Sequence, residues 1–119
     1  MKTILKSGFT FLFIFLAANF NAQVKNAKTE TAKVYGNCGM CKSTIEKAIN
    51  KKDIVEADWN KDTKILTLTY DSKKTSKKEI LKKVAEVGYD NEMYIAPASA
   101  YEKLHSCCQY DRPNLTPKQ

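Results

Sequence analysis

The sequence predicts an α+β fold in which two helices cover one face of a four-stranded antiparallel sheet. Three observations support this prediction. Short segments alternate between apolar and polar residues, two longer segments carry apolar residues at helical spacing, and polar turns separate them. In chain order the segments read β-α-β-β-α-β, which is the ferredoxin-like split βαβ arrangement.

Three of the predicted strands, at residues 29–35, 53–59 and 64–70, alternate as half-buried strands do. A polar turn at 60–63 joins the second and third strands into a hairpin. The large ring of Trp59 is predicted to close the core. The predicted inward-facing side chains are Ala32, Val34, Val55, Ala57, Trp59, Leu66, Leu68 and Tyr70.

The two predicted helices have apolar stripes at the 3.6-residue period. The first covers residues 41–52. The second begins after Ser76, which forms a capping-box pattern with Glu79, and it ends at Gly88. The stripes consist of Ile45, Ala48, Ile49, Ile80, Leu81, Val84, Ala85 and Val87. A short fourth strand is predicted at 91–96, around Met93 and Ile95.

The N-terminus has the pattern of a secretory signal peptide. Lys2 and Lys6 precede an apolar run at 9–18, which is too short to span a bilayer. Cleavage is predicted after Ala22, so that the mature chain begins at Gln23, and the protein is expected to be periplasmic or secreted. An uncleaved membrane anchor is the alternative. After cleavage no membrane association is expected.

The predicted domain organisation has four parts. They are a signal peptide at 1–22, a flexible lead-in at 23–28, a folded domain at 29–96 and a C-terminal tail at 97–119. The tail is expected to contain a short helical stretch at 99–111 and a disordered end at 112–119.

Charge and composition exclude several classes of function. The chain carries 20 Lys and Arg against 13 Asp and Glu, which gives a formal net charge of +7. Its lysine pairs lack the interleaved aromatics of a nucleic-acid stacking platform, so no nucleic-acid partner is expected. With one histidine, no phosphate loop and no catalytic triad pattern, the chain is predicted not to be an enzyme.

Two of the four cysteines form a C-x-x-C pair, Cys38 and Cys41. The first is expected in a loop and the second in the first turn of a helix, where the partial positive charge favours the thiolate. Two thiolates without a nearby histidine or carboxylate undersupply a tetrahedral zinc site. Soft sulfur ligands favour Cu(I), with Hg(II), Ag(I) and Zn(II) as alternative ions. A redox pair and an inert disulfide bridge are the other interpretations of this motif.

The second cluster is His105-Ser106-Cys107-Cys108. We interpret His105, Cys107 and Cys108 as an accessory metal or transfer site that folds back toward Cys38 and Cys41. A vicinal disulfide, or a bridge to another chain, is the alternative.

The segment at 36–48 (GNCGMCKSTIEKA) resembles the heavy-metal-associated domain family, which includes copper chaperones and periplasmic mercuric-ion-binding proteins. The resemblance spans residues 29–96. It implies that Cys38 and Cys41 are the metal ligands and that Tyr89 lies beside the metal loop and shields it. The chain departs from the family pattern where Tyr35 and Gly36 occupy its Gly-Met positions, so a loop-anchoring methionine is missing and Met40 lies inside the motif.

The functional hypothesis is a monomeric protein that binds a soft metal ion, Cu(I), and buffers it or transfers it to an acidic partner protein by thiolate exchange. Lys42 and the lysines of the second helix are candidates for docking that partner. One alternative is a thiol–disulfide redox protein that uses Cys38 and Cys41, although the helix and strand that precede a thioredoxin motif are missing here. Another is an interaction module in which metal or cysteines link subunits.

Overall fold

The computed structural model describes residues 24–113. The predicted signal peptide at 1–22 and the last six residues of the chain lie outside this range. The elements in chain order are β1 (Ala27–Lys33), α1 (Gly39–Ile49), β2 (Val55–Trp59), β3 (Ile65–Asp71), α2 (Lys77–Glu86), α3 (Ala98–Glu102) and a single 3₁₀ turn (Ser106–Cys108). The lead-in is shorter than predicted, because β1 already begins at Ala27.

The described sheet has three antiparallel strands in the order β1-β3-β2. β3 lies in the centre, where Leu68 is opposite Glu30 of β1 and Ala57 of β2. The predicted alternation is confirmed, because the inward positions are buried or half-buried. The predicted α+β class is therefore correct for this part of the chain.

Both long helices pack on the apolar face of the sheet. Ile45 and Ile49 of α1 and Leu81 of α2 are buried in one cluster with Leu66 and Leu68 of β3. Each such side chain contributes about 1.5–3 kcal/mol when it is fully buried. This shared core fixes the position of α1, whose N-terminus carries the C-x-x-C motif.

The N-termini of the two helices differ in their caps. Ser76 caps α2 as predicted, and its hydroxyl accepts a hydrogen bond from the backbone N–H of Glu79 at 3.2 Å. α1 begins at Gly39, two residues before the predicted start, so that Cys38 is its N-cap residue. The first cysteine of the motif therefore lies directly at the positive end of the helix.

The predicted fourth strand at 91–96 is wrong for the described structure. The segment makes one bridge, between Asn91 and Val34, and then turns away. The Asn91 side chain accepts hydrogen bonds from the backbone N–H groups of Met93 and Tyr94, and the Asp90 carboxylate accepts one from Ala96. These local bonds take the donors that a strand ladder would use.

The C-terminal segment returns to the domain and forms what we call the C-terminal strap, residues 97–112. Its helical character was predicted, but the predicted disorder is wrong at Arg112, whose guanidinium binds the buried Asp90 carboxylate at 2.6 Å. The strap passes over Gly88, which has a φ of 111° and where a Cβ atom would lie 3.0 Å from Leu104. Within residues 24–113, none of the helices has the length and apolar character needed to cross a bilayer.

Candidate metal centre

The C-x-x-C motif spans the junction between the loop after β1 and helix α1. The Sγ atoms of Cys38 and Cys41 are 3.7 Å apart. Cys41 is buried against the core, whereas Cys38 is partly exposed. The motif therefore has one sulfur that faces the protein interior and one that solvent can reach.

The ring of Trp59 packs against the loop that carries the motif. A Cβ atom at Gly36 would lie 2.9 Å from the Trp59 ring, so only glycine allows this close approach. The Trp59 indole donates a hydrogen bond to the Val34 carbonyl at 3.0 Å, and the backbone N–H of Asn37 donates to Cys41 Sγ at 3.3 Å. Trp59 is buried in the core as predicted. The loop is thus held by contacts other than the family methionine.

The strap places the second cysteine pair beside the first. Cys108 Sγ is 3.8 Å from Cys38 Sγ, and the sulfur atoms of Cys38, Cys41 and Cys108 all lie within 4.8 Å of one another. Cys107 Sγ is 3.6 Å from Cys38 Sγ and 3.8 Å from the sulfur of Met40. Cys108 is buried and Cys107 is exposed, so the two neighbours face opposite environments.

Like Cys107, the predicted site residue His105 lies outside the group of three sulfur atoms. Its side chain is exposed, and among residues 24–113 the group of potential ligands contains only cysteines. Its backbone carbonyl accepts a hydrogen bond from the N–H of Cys108 at 2.7 Å and begins the 3₁₀ turn. His105 therefore helps to position Cys108 through its main chain.

The thiols have different acidities. The backbone N–H of Cys41 lowers the pKa of Cys38 to about 7, against a smaller opposing effect of burial. Burial raises the pKa of Cys108, and the neighbouring thiol of Cys41 raises it further. The pKa of Cys107 is raised mainly by its contact with Cys38. Of Cys38, Cys107 and Cys108, Cys38 therefore ionises most readily near neutral pH and is the most reactive nucleophile of the three.

Tyr89 lies under the cluster. Its side chain is fully buried, and its hydroxyl has no hydrogen-bond partner among the described residues. Burial raises the pKa of Tyr89, and the adjacent thiols of Cys108 and Cys41 raise it further. Its ring stacks on Tyr110 of the strap, with ring centroids 5.8 Å apart. The site thus contains a buried O–H donor that faces sulfur.

The return of Cys107 and Cys108 toward the first cysteine pair was predicted, but the contacts that hold the strap in place were not. The Tyr110 hydroxyl accepts a hydrogen bond from the N–H of Asp90 and donates one to the Gly88 carbonyl, both at 2.8 Å. Arg112 makes two further bonds to Asp90, and Tyr101 packs edge-on against Tyr110. Asp90 and Arg112 are 22 positions apart, and no local sequence pattern indicates that they will pair.

Lys42 is paired with two carboxylates at the protein surface, where its side chain is 40% exposed. Its ammonium group binds Glu46 and Asp58, each at 2.6 Å, and these two carboxylates raise its pKa. The Glu46 carboxylate also accepts a hydrogen bond from the backbone N–H of Trp59. This bond and the two ion pairs of Lys42 connect α1 to β2. The exposed lysines of α2 (Lys78, Lys82 and Lys83) retain the charge that was predicted for that helix face.

Comparison with known proteins relates this domain to a known family. A model of the heavy-metal-associated domain matches residues 37–90. A solved CopZ metallochaperone is 33% identical with a TM-score of 0.51, and the match covers 54% of this chain and 98% of that chain. The chain belongs to the heavy-metal-associated domain family. An oxidized MerP from Ralstonia metallidurans CH34 is 34% identical with a TM-score of 0.51, over 56% of this chain and 94% of that one.

A curated relative links this heavy-metal-associated domain to a much larger protein. A copper-exporting P-type ATPase of Staphylococcus saprophyticus is 38% identical over 52 residues, which is 44% of this chain and 6% of the ATPase. The chain therefore spans only a small part of that relative. The family match ends at residue 90, so Cys107, Cys108 and the strap lie beyond the part that defines the family.

Proposed function

We propose that the protein binds a soft heavy-metal ion, Cu(I), through Cys38 and Cys41 and buffers it or passes it to another protein. The observation that carries this proposal is the pair of sulfur atoms 3.7 Å apart at the N-terminus of α1. The helix terminus favours the anionic form of the ligands, and sulfur ligands select soft ions. The role is binding rather than catalysis.

Copper is supported by two independent observations. The clustered ligand atoms among residues 24–113 are all sulfur, which suits Cu(I) better than hard cations. Two proteins similar to this chain are a CopZ metallochaperone and an ATPase described as copper-exporting. Hg(II) and Ag(I) fit the same sulfur ligands, and a third thiolate would also make Zn(II) a better competitor than the C-x-x-C pair alone suggests.

Transfer to a partner requires a sulfur that an incoming thiolate can reach. Cys38 is partly exposed, and it is the thiol with the lowered pKa, so it is the ligand at which exchange would begin. The exposed lysines of α2 would attract a partner with an acidic surface. The proposed location is the periplasm or the exterior of the cell, on the basis of the predicted signal peptide.

The test is an anaerobic Cu(I) titration of the reduced protein against a chromogenic competitor, repeated for Cys38→Ser/Cys41→Ser. One tightly bound ion that disappears in the double variant is the expected result. Binding that survives in the double variant would contradict the assignment of these ligands. Absence of binding in both proteins would reject the metal function, and the reduction potential of the Cys38–Cys41 pair would then test the redox alternative.

The identity of the ion is tested by competition at equal concentrations. Cu(I) is expected to displace Zn(II) completely from the reduced protein. Preferential retention of Zn(II) would overturn the copper assignment but leave the metal site intact.

A further inference from the structure

We infer that Cys108 is a third sulfur ligand, which the C-terminal strap delivers to Cys38 and Cys41 to complete a three-coordinate site. This inference rests on the proposed function, because it extends the same site. Cys108 lies outside the segment that matches the family, residues 37–90. The third ligand is therefore a property of this chain and its strap.

The sulfur–sulfur distances favour three-coordination over two-coordination. With a metal–sulfur bond of about 2.3 Å, the length found in zinc–thiolate sites, a linear ion needs sulfur atoms about 4.6 Å apart, a trigonal ion about 4.0 Å and a tetrahedral ion about 3.8 Å. Cys38 Sγ is 3.7 Å from Cys41 Sγ and 3.8 Å from Cys108 Sγ. Both distances are too short for a linear ion and lie near the trigonal and tetrahedral values, and the group of sulfurs within 4.8 Å of one another contains three members.

The burial of Cys108 has a simpler explanation, namely that the residue fills the core as a small apolar side chain. Two observations count against this as its only role. Its sulfur faces two other sulfurs, and the Tyr89 hydroxyl beside it is buried without a hydrogen-bond partner. Metal-bound thiolates would supply acceptors for that hydroxyl, since a thiolate is a stronger acceptor than a thiol.

The strap holds Cys108 in place before any ion arrives. Tyr110, two residues further on, is fixed by two hydrogen bonds to the main chain of residues 88–90, and Arg112 is bound to Asp90. On the N-terminal side of Cys108, the side-chain amide of Asn37 donates a hydrogen bond to the backbone carbonyl of Cys107 at 3.3 Å. A ligand held from both sides loses little conformational entropy on binding, which favours affinity.

Cys107 provides a matched control on the same turn. Its sulfur is 3.6 Å from Cys38 Sγ, but it is exposed and does not belong to the group of three. Replacing Cys107 removes a thiol from the same turn and leaves the three proposed ligands intact. Replacing Cys107 and replacing its neighbour Cys108 should therefore affect metal binding differently.

The experiment measures Cu(I) affinity and the number of sulfur ligands, by X-ray absorption of the Cu(I)-loaded protein, for the wild type, Cys108→Ser and Cys107→Ser. We expect three sulfurs in the wild type and in Cys107→Ser, and two in Cys108→Ser. Affinity should fall at least about tenfold in Cys108→Ser, since even groups outside the ligand set are worth roughly 10–100-fold. Cys107→Ser should lose much less affinity than Cys108→Ser.

Three results would overturn the inference: two sulfurs in the wild-type complex, unchanged affinity in Cys108→Ser, or an equal loss in Cys107→Ser. If Cys108→Ser folds poorly, the ligand counts of the wild type and of Cys107→Ser still decide the question, because a third sulfur that is retained in Cys107→Ser cannot come from Cys107. Failure of the inference is distinct from failure of the proposed function. If only the inference fails, one ion still binds through Cys38 and Cys41 with two-coordination. If the proposed function fails, metal binding does not require Cys38 and Cys41.

Discussion

The ion pair between Arg112 and Asp90 is predicted to be the main anchor of the strap. The Asp90 side chain is 1% exposed and that of Arg112 is 27% exposed. The guanidinium makes contacts of 2.8 and 2.6 Å with the two carboxylate oxygens, and a further one of 2.8 Å with the Ala96 carbonyl. In Arg112→Ala the carboxylate would stay buried, with the Ala96 N–H as its remaining described partner.

The expected cost of Arg112→Ala is about 3 kcal/mol of unfolding free energy. Breaking a buried pair by removing one partner typically costs about 3–5 kcal/mol, and the lower end applies because water can reach the vacated arginine position. For a domain of this size that corresponds to a fall in Tm of roughly 12–24 °C. Urea and thermal unfolding of the reduced, metal-free protein, followed by circular dichroism, would measure it.

Two controls separate this mechanism from a general loss of packing. Asp90→Asn/Arg112→Ala should be more stable than Arg112→Ala alone, because the double variant no longer buries an unpaired charge. Lys61→Ala, which removes an exposed pair with Asp62, should leave stability unchanged. A loss below about 1 kcal/mol for Arg112→Ala, or a double variant no more stable than the single one, would refute the reasoning.

Three further predictions concern residues around the site. Tyr89→Phe should raise the unfolding free energy of the metal-free protein by about 1 kcal/mol, because it removes an unpaired buried hydroxyl, and it should weaken Cu(I) binding. A variant with the stability and the Cu(I) affinity of the wild type would show that the hydroxyl is already satisfied. Gly88→Ala should cost about 2 kcal/mol or more in urea unfolding, since its φ is 111° and a Cβ atom would lie 3.0 Å from the Ala100 carbonyl oxygen; a neutral effect would contradict this geometry. Iodoacetamide should alkylate Cys38 of the metal-free protein with a half-maximal rate near pH 7, because its lowered pKa of about 7 makes the thiolate available above that pH. A midpoint near that of a free cysteine, about 8.5, would contradict the role of the helix terminus.

Local patterns were sufficient for the parts of the fold that depend on local chemistry. Ser76 and Glu79 mark a helix start because a side-chain cap and its N–H donor lie three residues apart, and this cap is present. Strand β3 was predictable because Leu66, Leu68 and Tyr70 alternate with more exposed residues. The spacing of Cys38 and Cys41 likewise predicts proximity by itself, because two intervening residues keep the sulfurs near one helix terminus.

The errors arose where side chains determine the path of the backbone over longer distances. The alternation around Met93 and Ile95 predicts a strand, but Asn91 and Asp90 capture the backbone N–H groups of this segment. The return of Cys108 toward Cys38 and Cys41 was predicted, but the contacts that fix it were not, because Tyr110 and Arg112 bind residues about 20 positions earlier in the chain. Such pairs have no periodicity and no fixed spacing, so pattern analysis cannot reveal them.

Trp59 is the single tryptophan of the chain, and its ring lies directly beneath Gly36 in the metal loop. Its indole is buried in the core and bonded to the Val34 carbonyl, so its emission spectrum should be that of a rigid, apolar environment. The Cβ atom of Cys41 lies near the same Gly36 position, at 3.3 Å, so an ion that binds Cys41 should change that emission. The protein therefore contains its own fluorophore for following the arrival and departure of metal in real time, without any added label.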